Sequence, residues 1–133
     1  MRRVVVTGIG IVSSIGNNTG EVYNSLVNGK SGITKNEDMA AYGFRSQIAG
    51  NIKLDVREHV DKRTLRFMGP GAAYAHIAME QAINDSGLTE KEVSNVRTGL
   101  VAGSGGPSTS AMLTAHQTVL KNSSPKRIGP FAV

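Results

Sequence analysis

The sequence predicts an α/β fold, and three observations carry that prediction. A β-branched run, Val4-Val5-Val6, opens a continuously apolar segment, an alanine-rich helical segment follows from Pro70 to Asp85, and a second apolar run, Leu100 to Ala102, comes after it. Continuous rather than alternating apolar character suits strands covered on both faces, so the expected arrangement is a sheet sandwiched between helices.

Taken in order, Arg3 to Ile11 reads as the first strand. Gly8, Gly10, Ser13, Ser14 and Gly16 then break the pattern and lead to a helix start where Asn18 or Thr19 can cap. Val22 and Leu26 give that helix its apolar face, and Asn28-Gly29 ends it with residues that tolerate a left-handed turn. From Lys30 to Lys53 the signals are mixed, with Arg45 to Ala49 as a candidate strand. Leu54 to Phe67 is charged and accommodates a helical turn or two.

Pro70-Gly71 opens the alanine-rich helix, apolar nearly all round and therefore expected to be buried, and Gly87 closes it. Thr89-Glu90-Lys91-Glu92 matches a capping box for a short helix. The second strand, Leu100 to Ala102, runs into the loop Gly103-Ser104-Gly105-Gly106-Pro107, after which Ser108 to Leu120 reads as a helix stopped by Ser123-Ser124-Pro125. Two strands do not make a stable sheet, so the next one is expected beyond Val133.

Composition narrows the chemistry. The 133 residues are about one domain long, with 39% hydrophobic and 19% charged residues, values that suit a folded globular chain. The apolar run at the start is too short and too glycine-interrupted for a secretion signal, and no stretch reaches the ~18 residues of a bilayer span, so a cytoplasmic protein without a membrane contact is expected. The chain has no cysteine, which excludes disulfides, thiolate metal sites and a cysteine nucleophile within these residues. A net charge of +5 favours an acidic partner, whether nucleic acid, anionic lipid or protein.

Four patterns invite a functional reading. Thr7-Gly8-Ile9-Gly10-Ile11-Val12-Ser13 approaches a dinucleotide-binding fingerprint, but the last glycine is replaced by Ser13 and no acidic residue ends a second strand some twenty residues on, so a tight structural turn is the better account. Gly29-Lys30-Ser31 resembles the end of a phosphate-binding loop, but that motif needs glycine where Asn24 stands. His59, His76 and His116 are too scattered for a metal site; His76 is expected to pack inside the alanine-rich helix's environment and His59 to be solvated. Lys62, Arg63 and Arg66 form one basic cluster, and Lys121, Lys126 and Arg127 a second. With three Tyr and three Phe in the whole chain there is little for bases to stack on, which favours an acidic protein over nucleic acid.

The runs from Arg3 through Gly8-Ile9-Gly10 to Asn17, Gly29 to Ile33, Arg66-Phe67-Met68, Gln81-Ala82-Ile83 with Asp85 to Leu88, and Ala102 to Gly106 closely resemble, in order and spacing, the amino terminus of β-ketoacyl synthases. Ile11 to Asn18 and the compact Gly-Ser-Gly-Gly loop resemble the synthase I branch. The resemblance implies the thiolase-like layered fold, two similar α/β halves per subunit, with residues 1–133 as the amino-terminal portion of the first half. It implies a homodimer that elongates fatty acids without metal or organic cofactor: a cysteine takes an acyl group from acyl carrier protein, malonyl carrier protein is decarboxylated, and the carbanion attacks the thioester.

The nucleophile and the two histidines of that chemistry are expected after Val133, so no catalytic residue is assigned in this chain. The resemblance places Gly105 and Gly106 at the border of the acyl-chain pocket, where a plain strand-to-helix turn is the competing account, and Pro107 departs from the usual small residue. It places Arg63, Arg66 and Lys126 on the surface that meets the acidic carrier protein; for Arg66 a structural ion pair with Asp61 or another acid is the alternative. The competing overall reading is a stand-alone module, nucleotide-binding or carrier-docking, without catalysis.

Overall fold

The computed structural model describes residues 3–128. Helix α1 (Thr19–Val27) is followed by strand β1 (Ile33–Lys35), helix α2 (Glu37–Ala41) and strand β2 (Ile48–Gly50). A 3₁₀ turn at Val56–Glu58 and the single-turn helix α3 (Lys62–Leu65) lead to the long helix α4 (Pro70–Ser86). Helices α5 (Glu90–Val93) and α6 (Thr109–Asn122) and a second 3₁₀ turn, Pro125–Arg127, complete the order.

Helix ends follow local chemistry. Asn18 caps α1 by accepting the Glu21 N–H, and the chain leaves that helix through Asn28 and Gly29, the latter at φ +61°. Gly87 closes α4 in the left-handed region, Thr89 and Glu92 form the expected capping box of α5, and Ser108 caps α6 through the Ala111 N–H. Each of these signals lies within a few residues of what it controls.

The sheet differs from expectation. The described residues hold one antiparallel pair of strands, with Ile33 opposite Gly50 and Lys35 opposite Ile48, and an isolated bridge between Ser13 and Gly16. The candidate strand at 45–49 is thus met in a shifted position. Residues 3–12 run extended without a strand neighbour, and Leu100 to Ala102 likewise have none. A strand is defined by its neighbour; without one, the side chains expected to be covered are bare, Val4 being 93% and Val101 98% exposed.

A helix takes the place of the missing neighbour for the first segment. The Ile9 N–H donates to Asp85 Oδ2 at 2.9 Å and the Ile11 N–H to Gln81 Oε1 at 3.0 Å. Gly8 and Gly10, on the alternate positions, lie flat on the α4 backbone: a Cβ at Gly8 would overlap the Ala82 carbonyl oxygen, and one at Gly10 that of Ala78. Glycine is required there for close approach, not for unusual torsion angles. Two residues of extended chain advance about 6.6 Å and four residues of helix about 6.0 Å, so alternate amides of the segment meet successive turns of α4.

Asn17 ties the next part of the chain to this pair. Its carbonyl accepts from Gln81 Nε2 at 2.7 Å, its amide N–H donates to Glu21, and its side-chain Nδ2 donates to the Lys53 carbonyl. The small core consists of Val22, Val60, Ala73 and Ile77. Helix α4 contributes two of the four, and its face toward Gly8 and Gly10 is half-buried, yet Met79 and much of the remainder are exposed, so the expectation of an all-round buried helix is corrected. The neighbours that an apolar helix of this kind would bury against are absent from the described residues.

Candidate functional site

The basic residues singled out by the sequence sit on two elements that the fold brings toward each other. Asp61 caps α3 by accepting the Arg63 N–H at 3.0 Å, which starts the turn carrying Lys62 and Arg63 and leaves Arg66 at its end. With its carboxylate used as a cap, Asp61 does not pair with Arg66; among the described residues the ion pair present is Lys35 with Glu37. The Arg66 guanidinium lies instead over the Phe67 ring, 5.9 Å from its centre.

The second basic element arises from a chain reversal. Helix α6 ends at Ser123, which takes the left-handed conformation at φ +47°, uncommon outside glycine and asparagine. Ser124 then caps the turn Pro125–Arg127 by accepting the Lys126 N–H. The reversal packs this turn back against α6.

A groove of about 620 Å³ runs between these elements. Arg66 and Arg127 both line it, its apolar surface comes from Phe67, Met68, Ala111, Ala115 and Ile128, and among the described residues no acidic one borders it. The amino-terminal ends of α4 and α6 meet at its edge, where a Cβ on Gly69 would crowd the Ser108 side chain. The hydroxyls of Thr114 and Thr118 are committed to the carbonyls one turn before them, so the two guanidinium groups are the free polar donors of long reach. Arg63 and Lys126 are exposed close by in sequence but do not line the groove. Arg127 is the member of this set for which the sequence offered no counterpart, and only the reversal at Ser123 brings it beside Arg66.

The other sequence candidates are placed as follows. Gly105 and Gly106 lie in an exposed loop, where a Cβ on either would meet nothing within 4 Å, and Ser104 folds the loop by donating to the Gly106 carbonyl at 2.7 Å. Their glycine identity is thus not dictated by neighbours among the described residues. Gly8 and Gly10 face α4 and not a ligand space, so the dinucleotide reading is contradicted by the contact that those glycines make. His76 is exposed, correcting its expected packing role, and His59 and His116 are exposed as well. Among the described residues no three His, Asp or Glu side chains are grouped to hold a metal ion, and no helix is long and apolar enough to cross a membrane.

One carboxylate has a displaced titration. Glu92 is held below the usual glutamate range, first by the Thr89 hydroxyl and second by the Thr89 backbone N–H, both of which donate to its Oε2. This is the capping box of α5 and lies away from the groove.

Comparison with known proteins identifies the architecture. The chain is 52% identical over 133 residues to 3-oxoacyl-[acyl-carrier-protein] synthase 1 of Haemophilus influenzae, and 45% identical over 134 residues to the protein of the same name from Escherichia coli K12. Both alignments cover all of this chain and 33% of the relative. A crystal structure of a β-ketoacyl synthase from Burkholderia phymatum superposes with a TM-score of 0.80 at 25% identity, covering 99% of this chain and 33% of that one. The chain therefore spans about a third of the length of its relatives, and its extended, unpaired segments occur within a thiolase-like α/β framework. The family model for the amino-terminal domain of β-ketoacyl synthases matches residues 1–133, and the chain belongs to that family.

Proposed function

We propose that residues 1–133 are the amino-terminal portion of the first half of a β-ketoacyl-[acyl-carrier-protein] synthase of type I, acting in fatty-acid elongation. In that reaction a cysteine thiolate displaces the carrier thiol from acyl carrier protein to form an acyl-enzyme thioester. Malonyl carrier protein then loses carbon dioxide, and the carbanion attacks the thioester carbonyl, expelling the cysteine thiolate and leaving a 3-oxoacyl chain on the carrier. With no cysteine in this chain, the nucleophile lies elsewhere in the protein. The observation that carries the reading is the match of the whole chain to the family's amino-terminal domain, together with identities of 52% and 45% to two proteins named synthase 1.

The part of the function that falls to this chain is carrier docking and one border of the acyl pocket. Arg63, Arg66 and Lys126 meet the acidic carrier protein, raising the encounter rate and orienting it. Gly105 and Gly106 border the acyl-chain pocket, with the open space around both positions in support. The working enzyme is a cytoplasmic homodimer. The test is condensation by the full-length protein supplied with acyl and malonyl carrier proteins, followed by mass spectrometry of the carrier-bound product. A chain longer by two carbons with a 3-oxo group is expected, and failure to decarboxylate malonyl carrier protein would remove the reading.

A further inference from the structure

The carboxy-terminal end of α1 sets two mutually reactive groups side by side. The chain leaves that helix through a doubly bonded reversal, in which the Gly29 N–H donates to the Leu26 carbonyl at 3.2 Å and the Lys30 N–H to the Ser25 carbonyl at 2.8 Å. This closure puts residue 29 at φ +61°, a conformation that favours glycine. The position before it is under no such constraint, and it holds Asn28, the one asparagine of nine in the sequence that precedes a glycine. The Asn28 carboxamide carbon and the Gly29 nitrogen are the atoms that would close a five-membered ring. A Cβ on Gly29 would meet nothing within 4 Å, and glycine has none, so the nitrogen is unhindered. Both residues are exposed and open to water.

We propose that Asn28 is a site of self-modification. The Gly29 nitrogen gives its proton to hydroxide and bonds to Asn28 Cγ; the Cγ–Nδ2 bond breaks and ammonia leaves, giving a cyclic imide. Water then opens the ring. Cleavage at Cγ leaves aspartate, and cleavage at the main-chain carbonyl leaves isoaspartate, whose backbone runs through the side chain. The fold sets the rate. With ψ of Asn28 at 4° the nitrogen is turned away from the carboxamide, the Gly29 N–H is held by Leu26, and Nδ2 donates to the Asn24 carbonyl at 2.7 Å. Ring closure therefore waits for the last turn of α1 to open. The product keeps it open, because the carboxylate cannot donate to Asn24 and adds negative charge at a helix end with no basic residue in its last turn. The isoaspartate linkage also inserts a backbone atom between Ser25 and Lys30, whose hydrogen bond completes the reversal.

The experiment incubates the full-length protein at physiological temperature and mildly alkaline pH and follows every asparagine by peptide mass spectrometry, with electron-transfer fragmentation separating aspartate from isoaspartate. Conversion at Asn28 ahead of the other asparagines is expected, rising with hydroxide concentration and several-fold faster in urea-unfolded protein. Asn18→Ala, which removes the cap at the other end of α1, is expected to speed conversion about fivefold by easing the opening. Asn28→Gln, whose ring would need six members, should abolish the mass gain in this peptide and so separates Asn28 from Asn24. Asn28→Asp carries the product's charge and should raise hydrogen exchange at the Lys30 amide about two- to fivefold. Another asparagine converting first, or a mass gain that persists in Asn28→Gln, would overturn the site. Equal rates in folded and unfolded protein, or in Asn18→Ala and the parent, would overturn the control by the helix end.

Discussion

The side-chain carboxamide of Gln81 accepts the Ile11 backbone N–H at 3.0 Å while its amino group donates to the Asn17 carbonyl at 2.7 Å. One side chain on α4 thus fixes both ends of the turn that leads from the extended amino-terminal segment into α1. Both bonds are partly buried, so losing them leaves two backbone groups without replacement. Gln81→Leu is expected to destabilise the full-length protein by about 2 to 3 kcal/mol, and Gln81→Glu, which keeps the acceptor, by less. Urea midpoints of the two variants check the order; a Leu variant as stable as the parent would show that the carboxamide does not hold the segment.

The glycines beside that latch give a sharper contrast. Gly10→Ala would place a methyl group onto the Ala78 carbonyl oxygen, and only displacement of the segment or of α4 can relieve the overlap. A loss of about 1 to 3 kcal/mol is expected. Gly71→Ala, in the first turn of the same helix with nothing within 4 Å, is expected to stabilise by up to about 1 kcal/mol. Thermal melts of the pair decide it, and equal shifts of the same sign would contradict the packing.

Surface charge outside the groove makes a prediction of its own. Arg63→Glu and Lys126→Glu are expected to slow association with the carrier protein several-fold at low salt and much less at 0.5 M, where charges are screened beyond about 4 to 5 Å. Stopped-flow binding across a salt series reads this directly. Salt-independent losses would assign these residues to packing.

Glu92 provides a pH test. Its folded-state carboxyl is depressed by the Thr89 hydroxyl and then by the Thr89 N–H, so the capping contribution is present above the unfolded glutamate value and is lost as pH falls through the folded one. Carbon-detected NMR titration should find Glu92 protonating below the usual glutamate range. Thr89→Val should move it back up toward that range. An unchanged Glu92 titration in the Val variant would refute the arrangement.

Exposed apolar side chains at Val4, Val5, Val6, Leu100 and Val101 lead to an expectation for the 133-residue chain alone. It should bind a hydrophobic dye and self-associate at micromolar concentration, because bare extended segments offer edges for pairing. A monodisperse monomer by light scattering with a cooperative melt would oppose this.

What the sequence disclosed and what it concealed divide by range. Asn18, Gly29, Gly87, the Thr89–Glu92 box and Ser108 were readable because a cap and the groups it serves are within four residues of each other. Val4 to Val6 and Leu100 to Ala102 read as strands because of their side chains, but pairing belongs to the neighbour and none is described. The roles of Gln81 and Asp85 were hidden because their partners lie 70 and 76 positions away in the sequence. For the candidate site, the two basic clusters marked Arg66, Lys126 and Arg127 in the sequence, whereas the placing of Arg66 and Arg127 on one groove depends on the turn after Ser123, whose left-handed conformation the helix-stop signal did not specify.

The mesh between residues 9–11 and α4 runs in opposite chain directions, Ile9 against Asp85 and Ile11 against Gln81. Sliding the helix by one position would swing both acceptors about 100° round its axis and present bulkier groups to the two glycines. The contact therefore works like a key cut for one depth: residues 8–11 and the long helix travel as a single body, and any pivot within this part of the molecule falls outside them.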